Sequence, residues 1–244
     1  MSDLTGEAER SRAAKIALRN RLLTARRSLT ADARAGAAAQ IQDQTLDLVR
    51  REGPRTIAAY VPVGTEPGGA DLPEVLAAYG QVLLPVLLPD GDLDWAAFSG
   101  PPGFAGSAGP AGPHGAAGPA GSGGPAGSGG PAGSGGPAGS GGPAGSLGAG
   151  PRGLREPIGP RLGVEAVRSA DLVLVPALAV DRRGVRMGRG GGSYDRVLER
   201  LGSGSALVVA LLHDGELLAE VPAEPHDRRV HGVVLPSGIV MLNG

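Results

Sequence analysis

The chain reads as an α/β protein whose mainly parallel sheet carries helices on both faces. Two observations predict that class. Four short runs, Thr56–Val61, Val82–Leu87, Asp171–Val175 and Ala206–Leu212, are apolar almost without interruption, as strands buried on both faces are. Helical patterns stand between them, and strands alternating with helices build parallel sheets.

The elements follow in order. Residues 8–28 set Ile16, Leu18, Leu22, Leu23 and Ala25 among arginines, which predicts an amphipathic first helix. Thr30 is placed to cap a second helix that runs to about Arg51, where Gly53-Pro54 ends it. The strand Thr56–Val61 comes next, then a helix over Leu72–Ala78 and the strand Val82–Leu87. A last helix over 192–201 lies between the strands Asp171–Val175 and Ala206–Leu212.

Between Gly103 and Gly148 glycine falls at every third position, and a Gly-Pro-Ala-Gly-Ser-Gly hexamer repeats within that block. A collagen-like triple helix would make the protein a trimer. Proline only at the X position, alternating Gly-Ser-Gly triplets and almost no charge favour a flexible insertion instead. The expectation is one domain over 1–244, interrupted at 101–150 by a disordered low-complexity insertion. Setting that block aside leaves roughly 190 residues for a single core.

Composition narrows the function. With 23 basic and 24 acidic residues the net charge is −1, so no global field recruits nucleic acid or a membrane surface. No cysteine is present, which excludes disulfides and thiolate metal sites. No apolar run reaches the roughly eighteen residues of a membrane span, and no signal-peptide pattern opens the chain. A soluble cytoplasmic protein is expected. One Trp, three Tyr and two Phe leave the core to Leu, Val and Ala.

The densest chemistry lies in Arg186-Met-Gly-Arg-Gly-Gly-Gly-Ser-Tyr-Asp-Arg196, four glycines and three arginines in eleven residues. Gly188, Gly190, Gly191 and Gly192 let backbone N–H groups approach a ligand closely. A helix beginning near Ser193 adds free N–H groups and a positive dipole end. That combination suits a nucleotide phosphate, although glycine spacing alone also fits a plain structural turn. The segment is neither a P-loop, since no Lys follows the glycines, nor a dinucleotide fingerprint, since Ser193 stands at the third glycine position.

In full, the pattern R-x-G-x-G-G-G-x-Y-D-R resembles the signature of the 5-formyltetrahydrofolate cyclo-ligase family, also called 5,10-methenyltetrahydrofolate synthetase. Other segments occur in that family's order: Lys15-Ile-Ala-Leu-Arg19, Tyr60-Val-Pro-Val-Gly-Thr-Glu66, Leu84-Pro-Val86 with Asp94-Trp95, and Gly153-Leu-Arg-Glu-Pro157. Asp171-Leu-Val-Leu-Val-Pro176 and Asp181-Arg-Arg-Gly184 lead into the glycine segment, and Val221-Pro-Ala-Glu-Pro-His-Asp227 closes the series. The resemblance covers about residues 10–100 and 150–235 and implies a Rossmann-like three-layer αβα sandwich.

The same resemblance implies a site. Lys15 and Arg19, four apart on one helix face, would otherwise read as a solvated basic stripe; here they are expected to reach the phosphates of ATP. The ATP site is completed by Arg186, Met187, Gly188, Arg189, Gly190, Gly191, Gly192, Ser193 and Tyr194, with Arg189 and Lys15 as catalytic groups. Val61 and Glu66, joined by Arg189 and Ser193, are expected to bind folate, Glu66 holding the pterin. Glu66 could equally be an ordinary loop carboxylate, and Tyr194 and Trp95 core residues. Asp195 and Asp227 are expected to hold Mg²⁺, although both could be surface acids and Asp195 also suits a helix N-terminus. The implied reaction is ATP-dependent closure of 5-formyltetrahydrofolate to 5,10-methenyltetrahydrofolate through a phosphorylated formyl group, by a monomer. Ser193, where the family commonly has a second tyrosine, departs from the pattern, as do His231 and Leu235-Pro236 near the C-terminus. A non-catalytic folate or nucleotide binder and a trimeric scaffold remain the alternatives. His226 and His231 lie five apart, but without further ligands they do not make a zinc site.

Overall fold

A computed structural model describes residues 2–100, 146–202, 204–223 and 228–242. The repeat positions 101–145, and with them the triplet block apart from its last residues, lie outside the described residues.

The first two helices form where predicted. Helix α1 spans Ser2–Ser28 and α2 spans Ala31–Glu52. Thr30 caps α2 by accepting the Ala33 N–H, Asp32 and Arg50/Arg51 complement its dipole, and Gly53 closes it in the left-handed region at φ 59°. Its stripe Ile41, Thr45, Leu48 and Val49 is buried, and Thr45 returns its hydroxyl to the Ile41 carbonyl at 2.7 Å. A fully buried Ile or Leu contributes about 1.5–3 kcal/mol.

The chain then builds β1 (Thr56–Ala58), α3 (Leu72–Ala77), β2 (Gln81–Leu87) and β3 (Leu93–Phe98). After the hairpin β4 (Leu147–Ala149) and β5 (Arg155–Pro157) come β6 (Leu172–Pro176), β7 (Ala179–Asp181) and β8 (Arg186–Met187). Helix α4 (Ser193–Leu201), β9 (Leu207–Leu211), β10 (Leu217–Leu218), β11 (Gly232–Leu235) and β12 (Gly238–Met241) complete it. The main sheet runs β12-β11-β9-β6-β1-β2-β3. Its five inner strands are parallel, and the two edge strands, β12 and β3, are antiparallel to their neighbours.

Alternate residues of each inner strand feed opposite layers, as the pleat requires. Val173, Val175, Val208 and Ala210 pack with Val197 and Leu198 of α4 on one face. Leu172, Leu174, Val209 and Leu211 pack with Ile41 and Leu48 of α2 and Leu72 and Leu76 of α3 on the other. The three-layer α/β prediction therefore holds. A separate cluster joins Leu22 of α1 to Leu178, Ala179, Val185, Met187 and Val221, around a small sheet of β10-β7-β8.

Three expectations need correction. Residues 147–149, placed in the disordered insertion, form β4 and pair with β5 through Leu147–Pro157 to Ala149–Arg155. The strand expected over Thr56–Val61 ends at Ala58, because Tyr60 and Val61 turn off the ladder and Pro62 has no N–H to offer it. On α1, Ile16 and Ala25 are exposed, while Arg26 goes inward. Among the described residues, no helix is long and apolar enough to cross a membrane.

The turn between β2 and β3 is tied to α4. Asp92 accepts from both guanidinium nitrogens of Arg200, one at 2.8 Å, and Arg196 approaches it at 3.6 Å. The Arg200 hydrogen bonds hold the Asp92 carboxyl below the usual carboxylate range despite its burial. Because the folded form is the one with the depressed value, the stabilisation is full above the ordinary carboxylate pKa of 3.8 and is lost as pH falls below it. Asp92→Asn is expected to cost about 1–3 kcal/mol near neutrality. Its melting temperature should approach the wild-type value as pH falls progressively below 3.8, as followed by circular dichroism.

Candidate functional site

The strand order places a crevice before any side chain is considered. From β1 the chain moves outward to β2 and β3, then returns to lay β6 on the other side of β1. Ligands of open α/β sheets bind at such a reversal, outside the carboxyl ends of the strands. A cleft of about 470 Å³ opens there, lined by Tyr60, Val61, Val63 and Glu66 after β1 and by Pro176 and Ala177 at the end of β6. The β4–β5 hairpin adds Leu154, Arg155 and Glu156, and the glycine segment closes the remaining side.

The loop after β1 is folded around Glu66. Its N–H donates to the Val63 carbonyl at 3.2 Å, and its Oε2 accepts the Val63 N–H at 3.0 Å. Tyr60 pins the loop's far end by donating to the Pro67 carbonyl at 2.8 Å. Across the cleft Arg189 Nη1 approaches Glu66 Oε1 at 3.3 Å. Glu66 is 13% exposed and Arg189 61%, so this pair sits at the edge of water. Exposed pairs contribute about 0–1 kcal/mol, and a ligand can part them at small cost.

Within the glycine segment, Gly190 and Gly192 adopt φ values of 96° and 74°, which side-chain-bearing residues rarely accept. Gly192 is the N-cap of α4 and supplies no side-chain cap, so the first N–H groups of that helix remain available to a ligand. Arg19 of α1 donates to the Gly188 carbonyl at 3.2 Å, and a Cβ on Gly190 would lie 3.4 Å from its guanidinium carbon. Thus a residue 169 positions away in sequence meets the loop. Lys15 lies one turn before Arg19 on the same helix.

Other expected site residues sit differently. Arg186 is buried beneath the loop, donating to the Pro176 carbonyl at 3.1 Å and to Asp195 Oδ1. Its Nε is buried without a partner. Its guanidinium therefore orients Asp195, rather than standing free for a phosphate. Met187 is also buried, packed against Leu22 and Leu178, and offers the cleft no side chain. Ser193 donates its hydroxyl to the Gly91 carbonyl at 2.6 Å, which fixes the start of α4 to the β2–β3 turn. Tyr194 packs against both core layers and also faces the cleft. Its hydroxyl is buried without a partner, and burial together with the Glu66 charge drives its pKa far up, so it remains a donor. Trp95 belongs to the core.

The carboxylates divide. Asp195, at the first turn of α4, gives Oδ1 to Arg186, and among the described residues Oδ2 has no hydrogen-bond partner. Asp227 and His226 lie outside the described residues. No group of three or more His, Cys, Asp or Glu suited to a metal occurs among the described residues. A carboxylate oxygen of Asp195 without a hydrogen-bond partner, beside the glycine loop, has the chemistry to accept Mg²⁺, which takes one or two carboxylates and fills its shell with other oxygens and water. His231 accepts the Val208 N–H at 2.9 Å and has a structural task.

Sequence reasoning passed over Arg26, which lines the cleft, and its partner Glu216. Arg26 donates to Glu216 through Nε and Nη2, each at 2.7 Å, and to the Ala177 carbonyl at 2.5 Å. A signal was present: Leu18, Leu22 and Arg26 recur every fourth residue, so Arg26 continues the buried stripe.

Comparison with known proteins agrees with this architecture. The model of the 5-formyltetrahydrofolate cyclo-ligase family matches residues 11–119 and 138–236, and the gap falls inside the repeat block. A 5-formyltetrahydrofolate cyclo-ligase of Mycolicibacterium smegmatis is 38% identical over 235 residues, covering 93% of this chain and 97% of its own. The mitochondrial one of Arabidopsis thaliana is 38% identical over 86 residues, 32% of this chain and 31% of its own. The solution structure of Aquifex aeolicus 5,10-methenyltetrahydrofolate synthetase superposes with a TM-score of 0.67 at 20% identity, covering 94% of this chain and 93% of that one. The Mycoplasma pneumoniae synthetase gives 0.58 at 15% identity, covering 90% and 97%. The family model and the near-full-length relative together show that the chain belongs to the 5-formyltetrahydrofolate cyclo-ligase family and is an enzyme of that type.

Proposed function

We propose that the protein uses ATP and Mg²⁺ to close 5-formyltetrahydrofolate to 5,10-methenyltetrahydrofolate. The observation that carries this reading is the meeting of Arg19 with the glycine loop on one side of a cleft whose other side presents Glu66. Ring closure onto the formyl carbon must expel a formamide oxygen, a poor leaving group. Transfer of the γ-phosphoryl of ATP to that oxygen makes it a phosphate ester, with ADP released. N10 then attacks the activated carbon and phosphate departs, leaving the five-membered ring.

The chain's tasks are positional and electrostatic. Arg19, Arg189, Lys15 and the N–H groups of Gly190 through Tyr194 take the phosphate oxygens. Arg186 holds Asp195 toward them, and Met187 contributes through its backbone. Glu66 accepts N–H groups from the pterin, with Val61 beside the ring and Ser193 fixing the wall between them. Asp195 and Asp227 would hold Mg²⁺, whose chemistry is to neutralise and orient the phosphates. The absence of cysteine fits a reducing cytoplasm. The repeat block is read as an insertion outside this machinery.

Activity assays on the wild type and on three variants test the reading. Absorbance of the methenyl product should rise only when 5-formyltetrahydrofolate, ATP and Mg²⁺ are all present. Arg189→Ala should lower kcat by about 10²-fold, the usual effect of removing one preorganised donor from developing charge. Asp195→Ala should lower activity comparably and raise the Mg²⁺ concentration needed for half-maximal rate. Full activity in both variants contradicts the site. Gly190→Ala forces a Cβ onto a positive-φ residue beside Arg19 and should raise the ATP KM about tenfold while leaving the folate KM unchanged. A change confined to the folate KM would reverse the assignment of the two walls.

A further inference from the structure

We infer that His213 and Glu216 are positioning residues that hold the Glu66 loop in its folate-binding place. The inference rests on the folate reading of Glu66 given above. Neither residue lines the cleft, and neither belongs to the glycine segment or the opposing wall.

The two residues bracket a tight turn at the end of β9. Glu216 N–H donates to the His213 carbonyl at 3.2 Å, and Gly215 supplies the positive φ, 86°, that such a turn needs at its third position. The Glu216 carboxylate folds back over the turn, so that Oε2 accepts the His213 N–H at 2.8 Å. Arg26 grips the same carboxylate through both oxygens. The pair is buried, with 3% and 6% of the side chains exposed. His213 is thus held from below by a carboxylate that cannot itself move without breaking an internal ion pair.

Its ring points the other way. Nε2 lies 3.1 Å from the carbonyl oxygen of Thr65, the residue before Glu66. A carbonyl only accepts, so the ring nitrogen carries the proton and donates. Nδ1 is left buried with no partner. A side chain retained only for packing would not strand a buried nitrogen, whereas one retained for its Nε2–H donor accounts for both observations. The loop that receives this bond, 148 residues earlier, is otherwise fixed by Tyr60 at Pro67 and by Gln42 at Gly68. Those ties lie past Glu66, and among the described residues the His213 bond is the one from outside the loop that sits directly before it. Without it the carboxylate can shift by a fraction of its own length, and misplacement of about 1 Å can cost 10²-fold.

Titration calorimetry with 5-formyltetrahydrofolate and, separately, with ATP tests this. His213→Ala should raise the folate Kd at least tenfold and leave the ATP Kd within twofold of wild type. His213→Gln, whose amide N–H reaches where Nε2–H did, should restore most of the folate affinity; His213→Asn, a bond shorter, should not. Should His213→Ala fail to fold, the Gln and Asn variants carry the comparison, and equal folate affinity in the two overturns the inference. In a Glu66→Gln background His213→Ala should add less than a twofold loss; fully additive losses mean that His213 does not act through Glu66. If Glu66→Gln alone leaves folate affinity intact, the folate reading of Glu66 fails. If Glu66→Gln weakens folate binding and His213→Ala does not, the reading stands and this inference falls.

Discussion

Arg26 and Glu216 meet in the interior through two N–H···O bonds of 2.7 Å, and that contact governs where the first helix lies. Helix α1 covers no face of the main sheet. It packs through Leu22 on the small cluster around β7 and β8, so apolar contact alone leaves it room to slide. The bidentate pair, with a third bond to Ala177, removes that freedom, because each alternative register would leave a buried charge unmatched. Two turns earlier on the same helix, Arg19 then arrives at Gly188. One ion pair thereby sets the distance between a basic helix and a glycine loop that are far apart in sequence.

The other wall of the cleft obeys a different constraint, the reversal of strand order at β1. Chain leaving β1 has no neighbour ready above it, so Tyr60 through Pro67 fold on themselves, tied by Tyr60 and by the Glu66 carboxylate. Glu66 and Arg189 face each other at the open edge, where their attraction is weak enough for a ligand to replace it. Deeper in, Arg186 and Asp195 form a less exposed pair that keeps the start of α4 facing the cleft. Exchangeable charges at the rim and fixed charges below give a site that is shaped before its ligands arrive.

Much of this was legible in the sequence. Continuous apolar runs gave four of the five inner strands, β1, β2, β6 and β9, because both sheet faces are covered, and Thr30, Gly53 and the glycine segment marked helix ends by local chemistry. The antiparallel edges β3 and β12 and the inner strand β11 were missed: Leu93–Phe98 mixes polar, small and apolar residues without a clear period, and Gly232–Leu235 and Gly238–Met241 are apolar runs of only four residues, each opened by glycine. Glu66 was singled out by resemblance to a family pattern, whereas the glycine segment stood out by its own composition. Glu216 and His213 were not found, because their partners lie 190 and 148 residues away and local pattern carries no record of them, whereas Arg26 was passed over although its fourth-residue spacing from Leu22 continues the buried stripe. Arg186 was assigned to phosphate by the resemblance, whereas its place beneath the loop gives it to Asp195.

The central claim is that the cleft brings the formyl oxygen of the folate and the terminal phosphate of ATP into direct contact. Following heavy-oxygen label from the formyl group tests it with no variant required. Single turnover with labelled 5-formyltetrahydrofolate and unlabelled ATP, read by mass spectrometry of the released phosphate, should place one heavy oxygen in each phosphate formed. Label recovered in water, with unlabelled phosphate, would contradict the account.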